Sequence, residues 1–277
     1  MSRNKIIVGG CSFTDYAMPS KAKPNPMDFK MWPAHIEGYE VINTAKCGSG
    51  NRKILSNIIQ EVLKHDSEDI AYVIVAWSEW TRQDILTDNS HFTNSPWRTL
   101  IPKVDDEKDK LVKEIPHNET FVNEFYKTIQ AKYPKDKDII NDQLQMMYLL
   151  QCFCNDNNIK LLQFQMLRTF NKFRKESNTT ANYDTKETLD PNEYPTDFEM
   201  QQRKQREYDF MTNPISLLID ESKFLGFPIL KGLGGYTMID LLYKKYGESY
   251  RINGIDAHPN EDAQRFIAEV VLKTLDL

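Results

Sequence analysis

Residues 5–14 read Lys5-Ile6-Ile7-Val8-Gly9-Gly10-Cys11-Ser12-Phe13-Thr14, a short apolar run that stops at two glycines and gives way to small side chains. Such a run suits a buried parallel strand that breaks abruptly into a loop at its carboxyl end. Outward from it, YEVIN at 39–43 and AYVIVAW at 71–77 repeat the pattern, each short and β-branched. Between them, NRKILSNIIQEVLK at 51–64 places Ile54, Ile58, Ile59 and Val62 on one face, which predicts an amphipathic helix. Residues 138–155 carry Ile139, Ile140, Leu144, Met147, Tyr148 and Gln151 at helical spacing, and KLLQFQM at 160–166 predicts a fourth strand. Phe266, Ile267, Val270, Val271 and Leu275 predict a helix over 261–275. Strands alternating with helices predict an α/β fold, a three-layer α/β/α sandwich around a mostly parallel sheet.

The chain of 277 residues is long enough for a core that shields a site from water, and a single domain over 1–277 is expected. Two polar stretches, at about 84–137 and 168–232, exceed ordinary connections and are read as long insertions, with room for helices at 120–133 and 198–210. Lys and Arg total 35 against 40 Asp and Glu, a net charge of −5, so there is no overall positive field to draw a phosphate backbone and no nucleic-acid partner is expected. The opening MSRNKIIVGG lacks the apolar stretch of a signal peptide, and no segment reaches the ~18 continuous apolar residues of a membrane span. A cytoplasmic protein with no membrane partner is the expectation. Cys11, Cys47, Cys152 and Cys154 form neither a disulfide framework nor a CxxC pair, and the histidines lack ligand spacing, so neither metal nor cofactor is expected.

In parallel α/β sheets, ligands bind beyond the carboxyl ends of the strands, where loops converge and helix N-termini present N–H groups. The residues in those positions are Gly9 to Thr14 after the first strand, Asn43 to Asn51 after the second and Trp77-Ser78-Glu79-Trp80-Thr81-Arg82 after the third. Asp256-Ala257-His258-Pro259-Asn260 stands before the C-terminal helix. This set resembles the SGNH, or GDSL, hydrolase superfamily, and most closely the GCSFT-type SGNH-like proteins of large bacteriophages; the resemblance covers about a third of the chain. It implies a flavodoxin-like sheet, a host-cytoplasmic location if the protein is phage-encoded, and a serine esterase site.

Residue by residue, the resemblance makes Ser12 the nucleophile and His258 the base that takes its proton, with Asp256 orienting the imidazole. The N–H of Ser12 and that of Gly48, five residues after Asn43, would hold the oxyanion, with Gly50 as the second choice for the glycine. Three departures stand out. The first block reads GCSF instead of GDSL. The third block has Ser78 or Glu79 where the family has an asparagine amide, leaving Asn51 or Arg82 as the third donor. The late pair is spaced D-x-H, one residue shorter than the usual D-x-x-H.

Each motif also has a plainer reading. Gly10-Cys11-Ser12 suits a turn in which the serine caps the next segment, Gly48 to Asn51 suits an anion-binding loop without a P-loop lysine, and His258-Pro259-Asn260 suits a helix start. Cys11 is an alternative nucleophile. Trp77, Ser78, Glu79 and Arg82 are expected to line the substrate site, with Trp77, Trp80 and Arg82 forming either a sugar-binding wall or a core edge. The function expected is hydrolysis of a small acyl ester, an O-acetyl ester of a carbohydrate by analogy. The alternatives are a catalytically weakened SGNH-fold binding or virion-associated module, or a glycan acyltransferase. The oligomeric state is left open.

Overall fold

The structure is a computed structural model and describes residues 3–22, 24–86, 97–100, 135–170, 197–254 and 256–277. Five parallel strands form its sheet: β1 (Lys5–Gly9), β2 (Glu40–Asn43), β3 (Ile70–Trp77), β6 (Lys160–Gln165) and β7 (Phe224–Leu225), in the order β2-β1-β3-β6-β7. Counting these five alone, the order is 2-1-3-4-5, the flavodoxin-like arrangement. β4 (Gln83–Leu86) and β5 (Trp97–Leu100) form a separate antiparallel pair. The helices are α1 (Asn51–Val62), α2 (Asp136–Asp156), α3 (Asp197–Met211), α4 (Met238–Tyr246) and α5 (Glu261–Leu275). No helix of the described residues is long and apolar enough to cross a membrane.

Strand alternation divides the core in two. Ile7, Val73, Val75 and Trp77 face one layer, packing with Ile54 and Ile58 of α1, Leu144 and Met147 of α2, and Phe210 of α3. Ile6, Val8, Ile74 and Phe164 face the other, against Leu242 of α4 and Ile267 and Val271 of α5. Each fully buried aliphatic or aromatic side chain contributes about 1.5–3 kcal/mol relative to exposure, so both layers are needed to hold the sheet. The α/β/α sandwich is therefore as the periodicity predicts. The helix expected over 198–210 is α3, whereas the one expected at 120–133 lies outside the described residues.

The 168–232 stretch is more integral than an insertion, because it supplies α3 and the edge strand β7, which pairs with β6. With two residues, β7 is too short to show alternation in the sequence. The chain runs from β1 to β2 on one side of it and then crosses to β3 on the other. That reversal opens a crevice beyond the carboxyl ends of β1 and β3, the place where open α/β sheets take their ligands.

Candidate active site

Ser12 lies in the loop that leaves β1 at this crevice. The loop is tightly turned: the N–H groups of Thr14 and Asp15 both donate to Cys11 O, at 3.0 and 3.1 Å. Trp32 Nε1 donates to Thr14 Oγ1 at 3.2 Å, and Asn43 Nδ2 donates to Thr14 O at 2.7 Å, so the turn is held from the core and from the end of β2. Gly10 has no room for a side chain, since a Cβ would fall 2.5 Å from Thr14 Oγ1.

His258 arrives from the opposite end of the chain, 246 residues away in sequence, and its Nε2 lies 2.8 Å from Ser12 Oγ. Its Nδ1 lies 2.5 Å from Asp256 Oδ1. With the ring proton on Nδ1, the imidazole donates to the carboxylate and Nε2 accepts from the serine hydroxyl. The D-x-H spacing works because the same Oδ1 also accepts the backbone N–H of His258, at 3.1 Å, closing a local turn that folds the carboxylate back toward the ring. Ile252 N–H donates to His258 O at 2.8 Å, and Asp256 N–H donates to Asn253 Oδ1 at 2.8 Å, fixing both residues. Phe13 packs on the imidazole with ring centroids 4.9 Å apart. The Asp256 side chain is 9% exposed and that of His258 29%, so the carboxylate is shielded while the imidazole remains accessible. Helix capping falls to Asn260, whose Oδ1 accepts the N–H of Ala263 at 3.0 Å, not to His258.

Gly48 sits in the loop after β2 with φ +76°, in the left-handed region that favours glycine. Among the described residues neither its N–H nor that of Ser12 donates to a protein acceptor. Asp15 ties the two loops together: its carboxylate accepts the N–H of Cys47 at 2.8 Å and of Ala17 at 3.0 Å. Burial works against ionisation of Asp15, but those two N–H groups and the Cys47 thiol more than offset it and hold the carboxyl below its usual range. Burial, followed by Asp15, pushes the Cys47 thiol up to about 12, so at neutral pH it is a protonated thiol. Asp15 was not among the sequence-level candidates; a carboxylate three residues after Ser12 is visible, but its partners across the loops are not.

The other candidates are differently placed. Gly50 N–H donates to Asp84 Oδ1 at 3.0 Å, and Asp84 Oδ2 accepts Lys53 N–H at 2.8 Å, so Gly50 is spent on anchoring the start of α1. Asn51 is buried, with its Nδ2 donating to Ser78 O and Gln143 Oε1 at 3.1 and 2.6 Å and its Oδ1 accepting Ser78 N–H at 2.7 Å. It fastens the end of β3 to α1 and α2, and its side-chain amide has no hydrogen left over for an oxyanion.

Trp77 is 0% exposed, with Nε1 donating to Gln163 Oε1, and Ser78 is likewise 0% exposed; neither lines a binding surface. Trp80 is buried too, bonded to Gln165 Oε1 at 2.9 Å and stacked on Phe210. The aromatic wall is therefore a core edge. Glu79 is buried and pairs through Oε2 with Arg82 Nε at 3.3 Å, and Arg82 Nη1 donates to Ser49 O at 3.4 Å.

The site thus joins an open α/β sheet to a serine, a histidine and an aspartate in hydrogen-bonded sequence beyond its carboxyl edge. No family model and no curated protein matches the chain. Among solved structures it is similar to the psychrotrophic esterase EstA from Pseudoalteromonas sp., inhibited by monoethylphosphonate, over 99% of this chain and 97% of that one, with 10% identity and a TM-score of 0.41. A likeness that loose transfers neither activity nor substrate.

Proposed function

We propose that the protein is a serine ester hydrolase of the SGNH type acting on small acyl esters. The observation that carries this reading is the unbroken series Ser12 Oγ, His258 Nε2, His258 Nδ1, Asp256 Oδ1, with separations of 2.8 and 2.5 Å. A serine hydroxyl is a weak nucleophile until a base takes its proton, and the base needs a carboxylate to fix its tautomer and stabilise the imidazolium that forms.

In the first half-reaction Ser12 Oγ bonds to the ester carbonyl carbon while its proton passes to His258 Nε2. The carbonyl oxygen becomes an oxyanion facing the N–H groups of Ser12 and Gly48. Collapse breaks the bond to the leaving alkoxide, which takes the proton from His258 and departs as an alcohol, leaving an acyl-Ser12. Water then gives its proton to His258, attacks the acyl carbon and releases the carboxylic acid as Ser12 recovers its proton. The carbohydrate alcohol expected from Trp77 and Trp80 loses its support, since both indoles are buried. Cys11 is fully buried and has no part in the scheme.

Turnover of p-nitrophenyl acetate by the wild type and by Ser12→Ala tests the reading. The expected result is turnover by the wild type and a loss of about 10³-fold or more in the variant. Equal rates, or no turnover by either, would contradict it and favour a binding module built on the same fold.

A further inference from the structure

The reaction proposed above places a negative charge on the carbonyl oxygen, for which the backbone provides two donors. Gly50, the alternative to Gly48, has its N–H spent on Asp84, and of the two groups expected to give a third donor the Asn51 amide is spent on Ser78 and Gln143. Arg82 is different. It uses Nε on Glu79 and one Nη1 hydrogen on Ser49 O, and among the described residues its other N–H groups donate to no acceptor.

Its position is as telling as its spare donors. Ser49, whose carbonyl it grips, follows Gly48, the residue whose N–H is free. Burial opposes the guanidinium charge, but Cys11, Glu79 and Asp84 together hold it above the ordinary arginine value. The hydrogen bond to Ser49 O sets the cation beside the loop that carries the free N–H of Gly48. The side chain is only 10% exposed, in surroundings where an N–H bond to a developing charge is much stronger than in water.

We propose that Arg82 is the third oxyanion donor of this site, with Glu79 as the positioning carboxylate that orients its fork. This rests on the ester-hydrolase reading. A guanidinium keeps its protons at every working pH, and charge-assisted bonds are about twice as strong as neutral ones, so one arginine does the work of an amide donor. Glu79 offsets the cation in the resting site and leaves it free to answer the charge that forms only during reaction.

The test compares Arg82→Gln, Arg82→Lys, Arg82→Ala and Glu79→Gln with the wild type on p-nitrophenyl acetate, alongside thermal melting of each. Arg82→Gln should lower kcat by about 10²–10³-fold with KM nearly unchanged, and Arg82→Lys should fall between it and the wild type. Glu79→Gln keeps an acceptor for Nε–H and should lose less than about 5-fold. Added guanidinium ion should restore part of the rate of Arg82→Ala, which a purely structural ion pair would not show. Arg82→Gln within about 3-fold of the wild type, or equal losses in Arg82→Gln and Glu79→Gln without rescue, overturns the proposal while leaving the hydrolase reading intact. If Arg82→Gln does not fold, the lysine variant and the rescue decide. A wild type that turns over no ester overturns the hydrolase reading, and the role of Arg82 with it.

Discussion

Replacing Asp84 by alanine removes the group that ties β4 to the start of α1. Gly50, the residue before α1, has no side chain to cap the helix, and a Cβ there would lie 2.6 Å from Asp84 Oδ2, so the glycine is the gap through which Asp84 enters. The carboxylate accepts Gly50 N–H at 3.0 Å and Lys53 N–H at 2.8 Å and is also hydrogen-bonded by Thr99 Oγ1. Losing a cap costs about 1 kcal/mol. Leaving a buried N–H unpaired costs about 1–3 kcal/mol, and the lost charge at a helix N-terminus about 0.3–1 kcal/mol. Allowing for overlap, Asp84→Ala should destabilise by about 2–4 kcal/mol, a fall in Tm of roughly 5–15 °C for a domain of this size.

Thermal unfolding followed by circular dichroism measures it, with Asp142→Ala as the control. Asp142, on α2, pairs with Arg52 in the first turn of α1, but the two side chains are 35% and 55% exposed, so that loss should stay under about 1 kcal/mol. Asp84→Asn, which keeps an acceptor and loses the charge, should fall between them. If Asp84→Ala melts no lower than Asp142→Ala, the capping argument is wrong.

Asp256→Asn should lower kcat/KM by about 10³–10⁴-fold with the fold intact, because the amide no longer holds the imidazole in the tautomer that accepts from Ser12; steady-state kinetics beside a melting curve checks this. Gly48→Ala meets no neighbour within 4 Å, so its cost is backbone alone, about 1–2 kcal/mol for φ +76°. Turnover should nevertheless drop about 10-fold or more as the N–H moves, and a rate close to the wild type would remove Gly48 from the site. Cys47 should resist iodoacetamide at pH 8, since only the thiolate reacts and the folded thiol is pushed up to about 12. The raised value favours the protonated thiol, so its share of stability is whole below pH 9 and fades as the pH climbs from there toward 12.

The sequence announces those parts of the fold that are periodic and local. β1, β3, α1, α2 and α5 follow from apolar spacing, within two residues of the observed ends. Ser12 and His258 are singled out by the family resemblance, and the structure brings the two within hydrogen-bond distance. α4 carries no prediction although Thr237 and Asp240 form a capping box there; its nine residues span too few turns for an apolar repeat to stand out. The burial of Trp77 was readable, because period-two alternation puts it on the face of Val73 and Val75, but its place after the third strand favoured a site residue. The ties made by Asp15 to Cys47 and by Asp84 to Gly50 span 32 and 34 residues, and no local pattern encodes such pairings. The shortened D-x-H spacing reads as a defect in the sequence, and only the turn closed by His258 N–H on Asp256 brings the carboxylate to the ring.

Labelling by a fluorophosphonate probe, with the adduct located by mass spectrometry, tests the role of Ser12 most directly. One adduct per chain is expected, on Ser12, slowed by about 10³-fold or more in His258→Ala and absent in Ser12→Ala. Labelling elsewhere, or none at Ser12 in the folded wild type, would contradict the assignment of this site as a serine hydrolase.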